Sequence, residues 1–376
     1  MSSEFDHRWV EQPEGLAELS AALATTHELA LDTESNSMFA YRERVCLVQL
    51  NLVDHTHAGT PRLFAIDPLA FESPGEATSP LVEWLALGRR VLLHGGEYDV
   101  AVMKRELGTS PTNLFDTQAA ASMLGFVRTG YANLCGELLD VKLSKEHQQF
   151  DWARRPVPPG PRRYALDDVR YLPALARVIE ERVRAADLEQ EVAIACQAVA
   201  GAAPHGGMND AEKFWRVVGS ERLPREVLAR VASLVSWREA EAERRDQPPG
   251  RLVSKESLLE LARRAPTAAR ELESFGLSRR LVADRAESLL AALAQPTAVP
   301  EKERRVPGDP LVEARRSRLK AWRDEESKRR EVTAQAVLPT RALEALALGE
   351  PDLAAVPQLG DKRIRMYGSM LAKLAR

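Results

Sequence analysis

Cysteine is scarce. The chain has three, Cys46, Cys135 and Cys196, far apart among 376 residues. An odd, scattered set argues against a disulfide framework and against a cysteine-based zinc site. It fits a reducing compartment, and a cytoplasmic protein is expected. Long uncharged apolar runs are also missing, so no segment is expected to span a bilayer and no membrane partner is implied. Residues 1–14 carry acids and no apolar core, so no secretory leader is expected. Disorder is disfavoured as well, because 44% of the residues are hydrophobic and 28% are charged. A chain of this length is too long for one ordinary core, and two or three domains are expected.

Charge is unevenly divided. Residues 1–200 hold 29 acids and 19 bases, whereas residues 201–376 hold 26 acids and 33 bases. An acidic front suits metal ions and a basic back suits a polyanion, although two ordinary solvated surfaces would give the same numbers.

Residues 28–35, 45–52 and 63–66 read as strands, being short apolar runs rich in leucine and β-branched residues. Residues 79–87 read as a helix and Val91–His94 as a buried strand. A Gly95-Gly96 break follows, then a helix over 98–107, and helical patterns continue to residue 200. This order predicts a mixed α/β domain over 1–200. Residues 156–161 form a proline-rich loop, and residues 202–209 look like a linker.

The back half repeats itself. Leu234, Trp237, Arg238, Glu239, Leu252, Leu258, Leu261 and Pro266 recur 85 residues later as Leu319, Trp322, Arg323, Asp324, Val337, Leu343, Leu346 and Pro351. Two small helical domains are therefore expected, at 215–296 and 308–376, joined by a segment rich in proline and charge.

Four acids stand at the ends of predicted elements. Asp32 and Glu34 lie two apart on a strand and share a face. Asp99 opens a helix after the glycine break. Asp168 lies four residues after Tyr164, on one helical face. If they converge, the carboxylates repel one another, and divalent cations relieve the repulsion. Oxygen ligands favour two Mg²⁺ or Mn²⁺ ions, the usual arrangement for cleaving a phosphodiester. A tyrosine beside the site can orient the attacking water. Singly, an Asp-x-Glu at a strand end is usually surface charge, so the set carries the argument.

That set resembles the DEDD exonucleases of the subclass with a tyrosine in the third motif. Leu29-Ala-Leu-Asp32-Thr-Glu34 matches the first motif, His94-Gly-Gly-Glu-Tyr-Asp99 the second and Tyr164-Ala-Leu-Asp-Asp168 the third. Phe115–Leu124 looks like the family helix after the second motif. Lys145–Trp152 looks like the segment before the third motif in ribonuclease D. The repeats resemble HRDC domains, with Trp237-Arg-Glu and Trp322-Arg-Asp as hallmarks. An exonuclease domain followed by two HRDC copies is the ribonuclease D architecture. The resemblance implies an α/β plus all-α protein, with an RNase H-like mixed-sheet domain and two helical bundles. It implies a 3′–5′ exoribonuclease that releases nucleoside 5′-monophosphates from tRNA precursors and other small structured RNAs. It makes Asp32, Glu34, Asp99 and Asp168 metal ligands and assigns Tyr164 to the water. The second motif often has Asn-Ala where this chain has Gly95-Gly96, a difference expected to alter backbone freedom near Asp99.

Thr33, His94, Lys145, Gln148 and Trp152 are candidate substrate contacts. Each also has a bland reading, as a packed or solvated residue. Asp167 reads as a solvated neighbour of Asp168. Trp237 and Trp322 read as core anchors. Arg315, Arg316, Arg318, Lys320 and Lys328–Arg330 are candidate phosphate contacts or simply a solvated basic face. Neither helical copy has an aromatic stripe, so binding through shape and backbone is expected. Removing residues 215–376 is expected to weaken binding and spare the chemistry. No obligate protein partner is evident. Two other readings are a DNA 3′–5′ exonuclease of the same superfamily and an inert nucleic-acid-binding protein.

Overall fold

Runs of apolar and β-branched residues build one six-stranded sheet. The structure, a computed structural model, describes residues 6–53, 61–144, 146–204, 208–302 and 309–376. The strands are β1 (Asp6–Val10), β2 (Glu28–Ser35), β3 (Val45–Val53), β4 (Arg62–Ile66), β5 (Arg90–Leu93) and β6 (Leu114–Asp116). Their order is β1-β4-β3-β2-β5-β6. β3 runs antiparallel to both β2 and β4, while the β1–β4, β2–β5 and β5–β6 pairs are parallel. Every residue of β3 is buried, as a central strand covered on both faces requires.

The strands at 28–35, 45–53, 62–66 and 90–93 agree with the sequence reading to within a residue. The two outermost strands escaped it. β1 is polar, and β6 has only three residues, too few to show a period. The Phe115–Leu124 segment is correspondingly split. Phe115 and Asp116 end β6, and the helix begins at Thr117 because Asp116 caps it, accepting from Ala119 N at 2.8 Å.

Helices α1 (Pro13–Thr25), α2 (Pro74–Ala86), α3 (Glu97–Glu106), α4 (Thr117–Leu124), α5 (Tyr131–Leu139), α6 (Pro159–Arg170), α7 (Leu172–Ala185) and α8 (Glu189–Ala200) surround the sheet. α6 lies against β2, β3 and β4, and α7 against β2 and β5. Their buried faces merge with the sheet into one core.

The chain divides into two units. One comprises Met1–Ser35, Val45–His205 and Pro307–Arg376; the other comprises Asn36–Arg44 and Gly206–Val306. The first unit therefore contains both the sheet and the second helical repeat, made of α15 (Pro310–Arg330), α16 (Ala334–Val337), α17 (Thr340–Ala347) and α18 (Asp361–Leu374). Here Lys362 N donates to Gln190 Oε1 at 2.6 Å, and Lys362 Nζ lies 3.2 Å from Glu191 Oε2. Ala336 joins the core around the sheet. Gly360 adopts φ +77, and a β-carbon there would collide with Ile194.

The second unit holds α9 (Asp210–Val218), α10 (Arg225–Arg245), α11 (Pro249–Leu252), α12 (Lys255–Arg264), α13 (Ala269–Leu272) and α14 (Arg279–Ala294). The segment Asn36–Arg44 packs into it. Arg42 Nη2 donates to Glu243 Oε1 at 2.7 Å, Arg42 N donates to Asp246 Oδ1 at 3.0 Å, and Arg251 stacks 4.2 Å above the Phe39 ring.

The internal repeat has a physical cause. Arg238 Nη1 donates to Val253 O at 3.4 Å, and Arg323 Nη1 donates to Leu338 O at 3.5 Å. Both arginines satisfy a carbonyl fifteen residues downstream, where a short helix ends. Trp237 and Trp322 each pack against the core of their own repeat.

Candidate active site

Strand alternation puts Asp32 and Glu34 on one face of β2, where Asp32 pairs with Gln49 and Glu34 with Leu47 of β3. Asp168 reaches the same place from α6. Oxygens of Asp32, Glu34 and Asp168 lie within 4.8 Å of one another. This donor set, all carboxylate and only partly exposed, fits a hard divalent cation. Asp99 lies in the first turn of α3 and is buried, outside that group of three. Its Oδ1 accepts from Thr33 N at 3.1 Å and from the Thr33 hydroxyl.

Backbone geometry at the glycine break delivers Asp99. Gly95 has φ +66, and a β-carbon there would sit 2.5 Å from Gln118 Oε1. At Gly96 a β-carbon would sit 2.5 Å from Leu93 Cδ1. Gly96 N donates to Asp116 Oδ2 at 2.7 Å, which fixes the start of α3. The paired glycines therefore allow a tight turn that an Asn-Ala pair could not make in the same packing.

Burial raises the pKa of all four carboxylates, and neighbouring carboxylates add to the rise. Burial lifts Asp32 well above the usual range, and Asp99, Asp168 and Glu34 add to the rise. Burial followed by Asp168 and Asp99 does the same to Glu34. Asp99 is pushed up to about 6, chiefly by burial, with the Thr33 hydrogen bonds opposing. Asp168 is pushed up to about 7 by burial, against the hydrogen bond from Tyr164. Such a cluster resists full ionisation at neutral pH, and a compensating cation favours it. Tyr164 itself is shifted upward by burial and by Asp168, so its phenol stays protonated and donates to the Asp168 carboxylate.

The expected substrate contacts fare differently. Thr33 points its hydroxyl and its N–H at Asp99, so that N–H is committed to the carboxylate. Trp152 is 2% exposed and belongs to the core around the sheet. It has no free face for a base and instead lies 6.3 Å from the Tyr164 ring, centroid to centroid. Gln148 is exposed in a turn. Lys145 lies outside the described residues. His94 hydrogen-bonds Thr117 Oγ1 at 2.9 Å and leans on Tyr131 at 5.3 Å. Burial lowers its pKa to about 4, so the ring is neutral at pH 7. Asp167 is not simply solvated, because Arg170 and Arg163 flank it at 3.7 and 3.8 Å.

Several supporting residues have partners that the sequence did not show, although His147 and Arg155 belong to the segment that resembles the one before the third motif. Asn51 Nδ2 donates to Val169 O at 3.1 Å and to Arg170 O at 3.0 Å, pinning the end of α6 to β3. Arg155 grips Asp67 at 2.6 Å and Trp152 O at 2.6 Å, fastening the segment before α6. His147 meets Tyr164 edge-on at 6.2 Å. Each is an ordinary polar or aromatic residue whose partner is distant in sequence, so spacing could not expose it.

Among the second repeat's basic residues, most guanidinium groups are engaged. Arg316 binds Glu344 at 2.7 Å and Glu313 at 2.5 Å. Arg329 binds Glu326 at 2.5 Å, Arg330 donates to Tyr367 Oη at 2.8 Å, and Arg318 donates to Leu374 O at 3.2 Å. No helix among the described residues is long and apolar enough to cross a membrane.

Comparison with known proteins agrees with this geometry. The 3′-5′ exonuclease family matches residues 7–184, and the HRDC domain matches residues 227–293 and 312–374. Ribonuclease D of Sphingobium indicum is 33% identical over 319 residues, covering 80% of this chain and 77% of the relative. Ribonuclease D of Gluconacetobacter diazotrophicus is 30% identical over 357 residues, covering 90% of this chain and 85% of the relative. The match to ribonuclease D of Zymomonas mobilis, at 32% identity and 71% of this chain, spans 66% of that relative's length. The crystal structure of Escherichia coli RNase D superposes with a TM-score of 0.67 at 24% identity, covering 98% of both chains, and shows the shared fold. With a mixed sheet, an acidic cluster and two helical repeats, the chain belongs to the ribonuclease D family of 3′–5′ exoribonucleases.

Proposed function

We propose that this exoribonuclease trims the 3′ ends of tRNA precursors and other small structured RNAs, releasing nucleoside 5′-monophosphates with two divalent cations. The observation that supports it most is the convergence of Asp32, Glu34 and Asp168 oxygens within 4.8 Å, with Tyr164 hydrogen-bonded to Asp168. The three carboxylates, with Asp99 beside them, would hold Mg²⁺ or Mn²⁺. Bound there, the two ions supply charge neutralisation at the scissile phosphate and an activated water.

The remaining chemistry belongs to the chain. Asp99 is held by Thr33, so its carboxylate enters the site pre-oriented. Tyr164 stays protonated, which suits it to orienting water rather than removing its proton. Trp152 and His147 flank the Tyr164 ring and fix its direction. Gln148, exposed in the preceding turn, is a candidate among the described residues to reach the 3′-terminal nucleotide from that segment.

The test uses a 3′-extended tRNA labelled at its 5′ end, with Mg²⁺ and then Mn²⁺, beside single-stranded DNA of equal length. The wild type should shorten the RNA one nucleotide at a time. Asp99→Ala should bind RNA without shortening it. Tyr164→Phe should lower kcat by about 100-fold with binding retained. Shortening of DNA alone would transfer the reading to a DNA exonuclease. Binding without shortening in either metal would leave a nucleic-acid-binding protein.

A further inference from the structure

The second unit contains a cavity of about 480 Å³ with a strongly basic lining. Four cations face it, Lys213 and Arg216 from α9, Arg238 from α10 and Lys255 from α12, against one carboxylate, Glu239. Ser37, from the segment that follows β2, adds a hydroxyl. Glu239 pairs with Lys213 at 3.3 Å and with Arg238 at 3.4 Å. Among the described residues no carboxylate lies within 4.0 Å of the Arg216 or Lys255 cation, and Arg216 has only the Met208 sulfur at 3.5 Å. Arg238 is 7% exposed, and its Nε has no hydrogen-bond partner among the described residues. Lys255 is the first residue of α12, where the helix dipole adds positive potential. Its ammonium rests beside Gly219, φ +65, where a β-carbon would sit 3.0 Å away.

The second repeat lacks this device. Thr340 stands where the first has Lys255, at the same 85-residue offset as the tryptophan-arginine pair. α9, which supplies Lys213 and Arg216, lies before the HRDC match at 227–293. The shared arginine is thus a structural clamp in both copies, and the surrounding cations are an addition in one.

We infer that this cavity is a binding site for a phosphodiester group of the RNA backbone, separate from the carboxylate cluster. Its lining has no aromatic ring on which a base could stack, and its only acid is already paired. The recognised group is therefore a phosphate, read without regard to sequence. The two repeats then divide their work. The first holds the RNA body, while the second is fastened to the sheet domain through Lys362. The inference rests on RNA being the substrate, as proposed above.

The test uses the full chain in EDTA, so that bound RNA is not consumed. Anisotropy of a fluorescein-labelled hairpin RNA with a 3′ tail is followed across KCl concentrations. R216E/K255E should bind about tenfold more weakly, with the slope of log K against log salt reduced by about one, as for one lost phosphate contact. The same charge change in the second repeat, K320E/K328E, should weaken binding less than twofold. Equal losses in both variants, or no loss in R216E/K255E, would overturn the site. Thermal melts verify folding, and R216Q/K255Q replaces the reversal should that variant melt early; it should show the same slope change. Titration with 5′-AMP provides another arm. Binding to wild type but not to the variant, with RNA affinity unchanged, would make this a mononucleotide site and overturn the proposal. Whether the wild type shortens the hairpin in Mg²⁺ is read separately, so failure of the exoribonuclease reading is distinguishable from failure of the cavity.

Discussion

The carboxylates act as a set because they crowd into one half-buried site. For Asp99 and Asp168, at about 6 and 7, the folded-state pKa lies above the ordinary carboxylate range. A raised pKa contributes stability that is complete below about pH 4 and is lost as pH rises through about 6 to 7. Metal-free protein should therefore melt progressively earlier over that interval. Divalent cations compete with those protons, so their stabilising effect grows as the protons leave. Melting with saturating Mg²⁺, against EDTA, should show little gain near pH 5.5 and a gain of several degrees near pH 8. A gain independent of pH would contradict the coupling. The sequence named all four acids through motif and alternation. It could not show that Thr33 spends its N–H on Asp99, because that contact spans 66 residues.

Elements carry the next level of precision. β2 aims Asp32 and Glu34 by its alternation alone. α6 aims Asp168 only if the helix is held at the correct depth against β3. Asn51, 4% exposed, provides that hold by satisfying two carbonyls near the end of α6. Asn51→Ala should cost about 1–3 kcal/mol in unfolding free energy, as buried acceptors lose their donor. It should also lower kcat by up to about 100-fold with KM little changed, because a small displacement of Asp168 spoils the geometry. Chemical denaturation and steady-state kinetics on the same variant measure both. A variant with wild-type stability and kcat would show that α6 is fixed by apolar packing alone. In the sequence Asn51 was one of two polar residues inside an apolar strand, with nothing to indicate its partner. For Trp152, open in the sequence between a base contact and a packed residue, the burial favours the packed reading. The segment folds inward and Phe150 stacks edge-on against Trp152 at 5.1 Å.

On the scale of the whole molecule, the two repeats are alike in sequence and unlike in placement. The second shares a unit with the sheet, and Lys362 reaches Glu191, whose side chain is 1% exposed. Removing residues 309–376 should therefore destabilise the sheet domain, which revises the expectation that loss of residues 215–376 would spare the chemistry. Lys362→Met tests the attachment without truncation. It leaves Glu191 buried without its cation and should cost about 3 kcal/mol, seen as a lower Tm of the full chain. An unchanged Tm would show that the attachment rests on the contacts of Ala336 and Gly360.

The sequence by itself determined the composition of the chemistry. Local rules sufficed for the strand that pairs Asp32 with Glu34, for the helix that pairs Tyr164 with Asp168, and for the duplication of a helical repeat. Each depends on residues within one turn or one pleat of each other, or on two stretches that repeat at a fixed offset. Only the tertiary structure decided which residues support the site and how the repeats differ. Asn51, Arg155 and Thr33 acquire their roles from partners 66 to 119 residues away. The basic cavity gathers residues from four helices and from the segment after β2. Such contacts follow from the packing of distant segments, for which no periodicity in the chain gives notice.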